Sequence, residues 1–269
     1  MMILRSVFLS ILPVVLFCSC ADDDSTEESV GASDAAAADG ASSGGEGDAD
    51  VADTGGDGEE PEAGTGPETD AALPPCETAE VSKTYTWSFD DDTVNSPPAE
   101  FTSVLGTWKV EADTGAPSAP NILRQSGTSS FMEYPVLFAD NPCFRDLALE
   151  VRCRPESGVI DQACGLVFRL QDGNNYYVTR ANVLESNVRL YRVVDGLRQQ
   201  FATAEGITIA GNEWHTLQAT ASGATLTVSF DGEELISAED ETFGESGRIG
   251  LWLKADSVTS FDDLEATAE

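Results

Sequence analysis

Positive charge is scarce in this chain of 269 residues: 14 Lys and Arg stand against 48 Asp and Glu, a formal net charge of −34. A nucleic-acid binder displaces counterions with Lys and Arg, so this balance excludes that class of partner. Histidine is scarcer still. His215 is the only one, it sits in the strand-like run Trp214-His215-Thr216-Leu217, and it reads as structural rather than as a catalytic base. With one His and no C-x-x-C pair, the common zinc frameworks are absent. No P-loop or G-x-G-x-x-G segment occurs. No apolar run approaches the about 20 residues needed to cross a bilayer as a helix. No aromatic residue lies between Phe17 and Tyr85.

The charge is also uneven. Residues 21–76 hold 17 Asp and Glu and no Lys or Arg, whereas residues 77–269 hold 31 acidic and 13 basic residues. The acidic stretch is Ala, Gly, Ser, Asp, Glu, Thr and Pro with few larger aliphatics. It has too little apolar area to offset ordering entropy, so the expectation is a disordered linker. Before it, Arg5 and the apolar run Val7–Phe17 form a secretory signal too short to span a membrane. The signal ends Ser19-Cys20-Ala21, which resembles the bacterial lipoprotein box. That resemblance implies a lipid on Cys20 and a membrane anchor. Ala21 after the Cys, where an Asp marks retention at the inner membrane, points to the outer membrane or cell surface. The organisation read from the sequence is therefore a signal peptide over 1–19, a lipidated Cys and acidic linker over 20–76, and a folded domain over 77–269.

The domain has a period of two. Leu147, Leu149, Val151 and Cys153 alternate with Ala148, Glu150, Arg152 and Arg154. Cys164, Leu166, Phe168 and Leu170 alternate with Gly165, Val167 and Arg169. Leu226, Val228 and Phe230 alternate with Thr225, Thr227 and Ser229, and Ile249, Leu251 and Leu253 with Gly250, Trp252 and Lys254. Asp-Gly and Ser-Gly pairs such as Asp195-Gly196, Ser222-Gly223 and Asp231-Gly232 punctuate the runs. The fold class that follows is all-β: an antiparallel two-sheet jelly-roll sandwich. Besides Cys20, an exported chain would keep Cys76, Cys143, Cys153 and Cys164, an even number that favours disulfides. Three pairings are open. Cys153 and Cys164 share the apolar phase of strands running in opposite directions, which favours Cys153–Cys164 and leaves Cys76–Cys143.

The run Gly165-Leu166-Val167-Phe168-Arg169-Leu170-Gln171-Asp172-Gly173-Asn174-Asn175-Tyr176-Tyr177, with Asn187-Val188-Arg189-Leu190-Tyr191, Glu213-Trp214-His215, Val228-Ser229-Phe230-Asp231-Gly232 and Gly247-Arg248-Ile249-Gly250-Leu251-Trp252, resembles the 3-keto-disaccharide hydrolase-like domains. These are also called family 16 glycoside hydrolase-like, and belong to the concanavalin A-like lectin/glucanase superfamily. The resemblance covers roughly residues 85–265. It implies two curved sheets with sugar on the concave face, and either a glycoside or 3-keto-glycoside hydrolase or a binding module.

A retaining glucanase needs two carboxyls about 5–5.5 Å apart, carried in this superfamily by E-x-D-x-x-E. Glu111-Ala112-Asp113 starts that pattern, but Ala116 stands where the second Glu belongs. Glu239-Asp240-Glu241 lies beside a turn and reads as solvated. Binding without catalysis is thus the leading expectation, with hydrolysis and a purely structural or adhesive role as the alternatives. Eight of the domain's 13 basic residues fall within 145–198. With Leu166, Phe168, Val188 and Leu190 facing the core, strand phase puts Arg169, Tyr176, Arg180, Asn182, Arg189, Tyr191, Trp252 and Lys254 on an open face. Flat rings stack on sugar CH faces, and Asn and Arg bond hydroxyls or carboxylates, so this set suits a saccharide, and an anionic one through its guanidinium groups. The same arginines would equally pair with the domain's carboxylates. No cofactor is required. Asp90 and Asp262, in acidic runs near the two ends of the domain, are candidates for a structural calcium ion.

Overall fold

The computed structural model describes residues 73–269. The signal peptide, the lipidation site Cys20 and nearly all of the acidic linker lie outside the described residues.

Fifteen strands make up the domain: β1 (Thr84–Trp87), β2 (Phe101–Leu105), β3 (Trp108–Ala112), β4 (Asn121–Gln125), β5 (Val136–Ala139), β6 (Leu147–Ser157), β7 (Ala163–Asp172), β8 (Asn175–Asn182), β9 (Asn187–Val194), β10 (Leu197–Glu205), β11 (His215–Ser222), β12 (Thr225–Phe230), β13 (Glu233–Glu239), β14 (Arg248–Trp252) and β15 (Val258–Ala268). They form two antiparallel sheets. One has eight strands in the order β13-β12-β11-β6-β15-β4-β3, with β1 added on β15; the other has seven, β10-β9-β8-β7-β14-β5-β2. The fold is the all-β, antiparallel two-sheet jelly-roll sandwich that the alternation predicts.

The core lies between the sheets. Leu149, Val151 and Cys153 of β6 meet Leu166 and Phe168 of β7, with Leu217, Leu226, Val228, Val188, Leu190, Leu251 and Phe261 around them. In β6, from Leu147 to Glu156, every second residue is buried and the intervening ones are half-buried, as a sheet with one solvated face requires. β7, β8 and β14 differ, because almost all of their residues are buried on both faces. The outer face of the seven-stranded sheet carries a second apolar cluster, in which Val136, Phe138, Val167, Leu170, Tyr176, Val178, Tyr191, Val193 and Trp252 are packed under Tyr134 and Leu73.

Two disulfides tie this frame. Cys153–Cys164 crosses the core from β6 to β7, and Cys76–Cys143 fixes the start of the domain to the β5–β6 connection. The connection is reinforced by backbone bonds from Cys143 N to Glu77 O and from Ala79 N to Cys143 O, at 2.7 and 2.8 Å.

Candidate functional site

Strand register gathers most of the predicted face. Arg180 of β8 stands opposite Arg189 of β9, and Tyr176 and Val178 stand opposite Val193 and Tyr191. Trp252 of β14 leans over Gly165 of β7, where a Cβ would come 2.6 Å from Trp252 O and 3.1 Å from its ring. Only glycine permits that approach.

The aromatic part is not open. Tyr134, from the loop between β4 and β5, stacks on Trp252 at 5.2 Å. The Arg198 guanidinium of β10 lies 4.5 Å from the Tyr191 ring centroid, 5.0 Å from Tyr134 and 5.4 Å from Trp252. These cation–π contacts leave Trp252, Tyr176 and Tyr191 almost entirely buried. Burial pushes the Tyr176 phenol up to about 12.

Beside this stack lies a charged cluster. Arg180, only 1% exposed, reaches Asp161 Oδ2 at 2.9 Å and Glu185 Oε2 at 2.8 Å. Arg189 shares Glu185 at 2.6 Å and meets Glu205 at 3.3 Å. Lys254 Nζ is 3.8 Å from Asp161 Oδ2 and 4.2 Å from the centre of the Phe131 ring. Asp161 is wholly buried. Burial pushes its carboxyl above the ordinary aspartate range, against the pull of Arg180 and Lys254. Burial likewise pushes the Lys254 ammonium down, against the pull of Asp161. Partial burial opposes the Glu185 carboxylate too, but its bonds to Arg180 and Asn187 and the charge of Arg189 hold it below the usual range. Asp161 is positioned by Asp256, whose carboxylate accepts the amides of Val159, Ile160 and Asp161 at 2.7–3.0 Å.

Seven buried side-chain nitrogens make no hydrogen bond among the described residues. Five of them are on this one sheet face: Arg180 Nε, Asn182 Nδ2, Arg189 Nε, Arg198 Nη1 and Trp252 Nε1. All are donors. Trp252 faces the Tyr176 phenol and opposes its upward shift, and the Tyr191 phenol likewise supports the charge of Arg189, yet Trp252 Nε1 and Arg189 Nε do not reach hydrogen-bond geometry. Lys254 Nζ adds a further nearly buried donor whose surroundings act on it only through charge and desolvation. A buried donor left unpaired costs about 1–3 kcal/mol, so a face with this many calls for acceptor oxygens.

Arg169 is not part of it. A bulge between Phe168 and Asp172, with Arg169 at a φ of 48°, interrupts the alternation. The guanidinium goes instead to the opposite end of the sandwich, where it donates to Arg145 O at 2.6 Å, Phe243 O at 3.0 Å and Gly223 O at 2.9 Å. Asn182 lies on the face but caps the β8–β9 turn, accepting Glu185 N at 2.9 Å. Asp90 and Asp262, the pair considered for calcium, spend carboxylate oxygens on the chain. Asp90 accepts Asn121 N at 3.0 Å, and Asp262 accepts Ser118 N at 2.8 Å and the Ser118 hydroxyl at 3.0 Å. No group of three or more His, Cys, Asp or Glu placed to hold a metal occurs among the described residues. Glu111 of β3 and Asp113, just after that strand, face Arg124 and Arg154 at 3.4 and 2.7 Å. His215 bridges Asp231 and Ala210 O at 2.8 Å each, which pins the loop before β11.

Asp161, Glu185, Tyr134 and Arg198 complete the site, yet strand phase did not select them. The first three sit in loops, where no period applies. Arg198 was visible only as one of the eight clustered basic residues.

No family profile matches this chain, and no curated protein matches it. Among solved structures, it is similar to the carbohydrate binding module CBM66 from Bacillus subtilis, at 19% identity and a TM-score of 0.53, covering 63% of this chain and 96% of that one. It is also similar to the GH43 BlXynB protein from Bacillus licheniformis, at 14% identity and a TM-score of 0.50, covering 68% of this chain and 39% of that one. Identities this low establish a shared fold: the domain is a jelly-roll sandwich of the kind those two proteins contain.

Proposed function

We propose that this protein is an envelope-anchored carbohydrate-binding module whose ligand lies on the outer face of the seven-stranded sheet. The observation that carries the reading is the set of five unpaired, buried N–H donors beside Lys254 and the Tyr134–Trp252 stack. A saccharide offers many acceptor oxygens in a small volume, together with a flat CH face for the half-buried Tyr134 ring that caps the stack. The sandwich shared with a carbohydrate binding module supports the same reading. Because every unpaired group is a donor, and three of the five side chains that bear them are arginines beside the Lys254 ammonium, the ligand is an anionic saccharide such as a uronide. The Ser19-Cys20-Ala21 sequence supports a lipid anchor at the outer membrane or cell surface; labelled palmitate should be incorporated, and Cys20→Ala should abolish it.

The test is a glycan array that includes neutral and uronic-acid glycans. Binding to acidic glycans above neutral ones is expected, and Lys254→Met should weaken it about tenfold or more. Silence across the array defeats the proposal.

One observation favours a second reading, hydrolysis of glycosides or 3-keto-glycosides by the same face, in keeping with the resemblance to 3-keto-disaccharide hydrolase-like domains. Asp161 and the Lys254 ammonium lie 3.8 Å apart, and burial pushes the carboxyl up and the amine down, as an acid–base pair needs. Product analysis after incubation with 3-keto-glycosides decides it: turnover that Asp161→Asn abolishes would replace the binding reading.

A further inference from the structure

The charged cluster is bordered by an unusual rim. Ten large apolar side chains are exposed among the described residues, and five of them, Phe131, Met132, Val159, Ile160 and Leu184, stand on three loops at one end of the sandwich. Those loops are the β4–β5, β6–β7 and β8–β9 connections. The backbone ties them together around the polar site. Val183 N donates to Gln162 O at 2.9 Å, Ser129 N to Ala255 O at 3.0 Å, and Ala255 N to Glu133 O at 3.2 Å, while Asp256 holds the Val159–Asp161 amides. Each apolar group is next to a polar member of the site. Phe131 covers Lys254, Ile160 precedes Asp161, and Leu184 precedes Glu185.

Exposed apolar side chains gathered at one place mark a binding surface. We infer that the ligand of this face carries an apolar substituent, an alkyl or aryl group joined to its sugar, and that this group lies against the rim. The inference rests on the carbohydrate-binding reading. Continuity selects this occupant: Phe131 lies on Lys254 and Leu184 adjoins Glu185, so one amphipathic molecule whose sugar meets that cluster reaches the rim with its tail. Charge argues against a membrane as the occupant. A protein seated on anionic lipid presents exposed Lys and Arg. Here residues 77–269 hold 31 acidic against 13 basic residues, and the exposed rim loops bear Glu133 and Glu185 and no Lys or Arg.

The experiment compares methyl β-D-glucuronide with octyl β-D-glucuronide, below its micellar concentration, by titration calorimetry on the full chain. The octyl compound should bind about tenfold more tightly or better, given the gain for each methylene removed from water. The double variant Met132→Ser/Val159→Ser should abolish that gain and leave the methyl glucuronide affinity unchanged. Equal affinity for the two compounds overturns the inference while the binding reading stands. Failure of both to bind overturns both. In a chain carrying Cys20→Ser to remove any acyl anchor, sedimentation with phosphatidylglycerol vesicles that the double variant abolishes would overturn it in favour of a lipid surface.

Discussion

The outer faces of the two sheets use the same chemistry in different surroundings. On the eight-stranded sheet, Arg124 pairs with Glu111 and Glu156, and Arg154 pairs with Asp113 and Glu156, with side chains 16–35% exposed. Arg154 also lies over Trp214, at 4.7 Å. On the seven-stranded sheet, Arg180 and Asp161 pair at 1% and 0% exposure, under loops that also cover Trp252. The first face is solvated, so its ion pairs contribute little. The second is dry, so each charge there depends on its partner. Residue type therefore does not separate a surface network from a candidate site; burial does.

The sharpest way to break this contrast is Arg180→Met. It leaves Asp161 buried with only Lys254, 3.8 Å away, to compensate it, and should cost about 3–5 kcal/mol in chemical denaturation. Adding Asp161→Asn should recover part of that loss. A cost below 1 kcal/mol would mean that water reaches Asp161 and that the two faces are alike.

Packing provides a second separation. Gly165→Ala drives a methyl into Trp252 and should cost about 1–3 kcal/mol, with a change in near-UV circular dichroism as the indole shifts. Ala148→Val, at a half-buried outer position of β6, should stay within about 0.5 kcal/mol of the parent.

This difference between the faces also governs how much could be read in advance. Alternation located β6, β7, β12 and β14 and the phase of Arg180, Arg189, Tyr191 and Trp252, because each strand has one face on the core. It failed at Arg169, since a bulge shifts phase without altering the apolar pattern around it. It also took Trp252, Tyr176 and Tyr191 to be open. Their cover is Tyr134, from a long loop, and Arg198, from the edge strand β10, and period-two reasoning cannot see a loop fold back over a sheet. Asp161 was missed for the same reason: its place depends on Asp256, 95 residues further on.

One carboxylate on the eight-stranded side behaves as though it belonged to the drier face, and it sharpens the rule that burial decides. Asp262 is fully buried, and burial pushes its pKa up to about 6, with Asp263 adding to the effect. An aspartate in the unfolded chain titrates near 3.9, so the folded state binds this proton more tightly. The contribution of Asp262 to stability is present in full below about pH 4 and is lost as the pH rises to about 6, an effect of the order of 1–3 kcal/mol. Asp262→Asn should remove that component from the stability profile between pH 4 and 6. A profile unchanged by the substitution would show that Asp262 is solvated like its neighbours.

The smallest expected effect is the most demanding of the comparison. Arg154 and Asp113 approach to 2.7 Å, closer than Arg180 and Asp161 at 2.9 Å, so distance alone would make theirs the stronger pair. Arg154 and the Gly115 amide hold the Asp113 carboxyl below the usual aspartate range, so its contribution is present at neutral pH and lost on acidification below the unfolded value. Both side chains are nonetheless about one-fifth exposed, and solvent screens them. A double-mutant cycle of Arg154→Met and Asp113→Asn should give a coupling of about 0.2–1 kcal/mol that shrinks in 1 M salt. A coupling of several kcal/mol that persists in salt would place this pair with Arg180 and Asp161. Contact distance would then decide the matter, and the dry face would lose its claim to be the exceptional one.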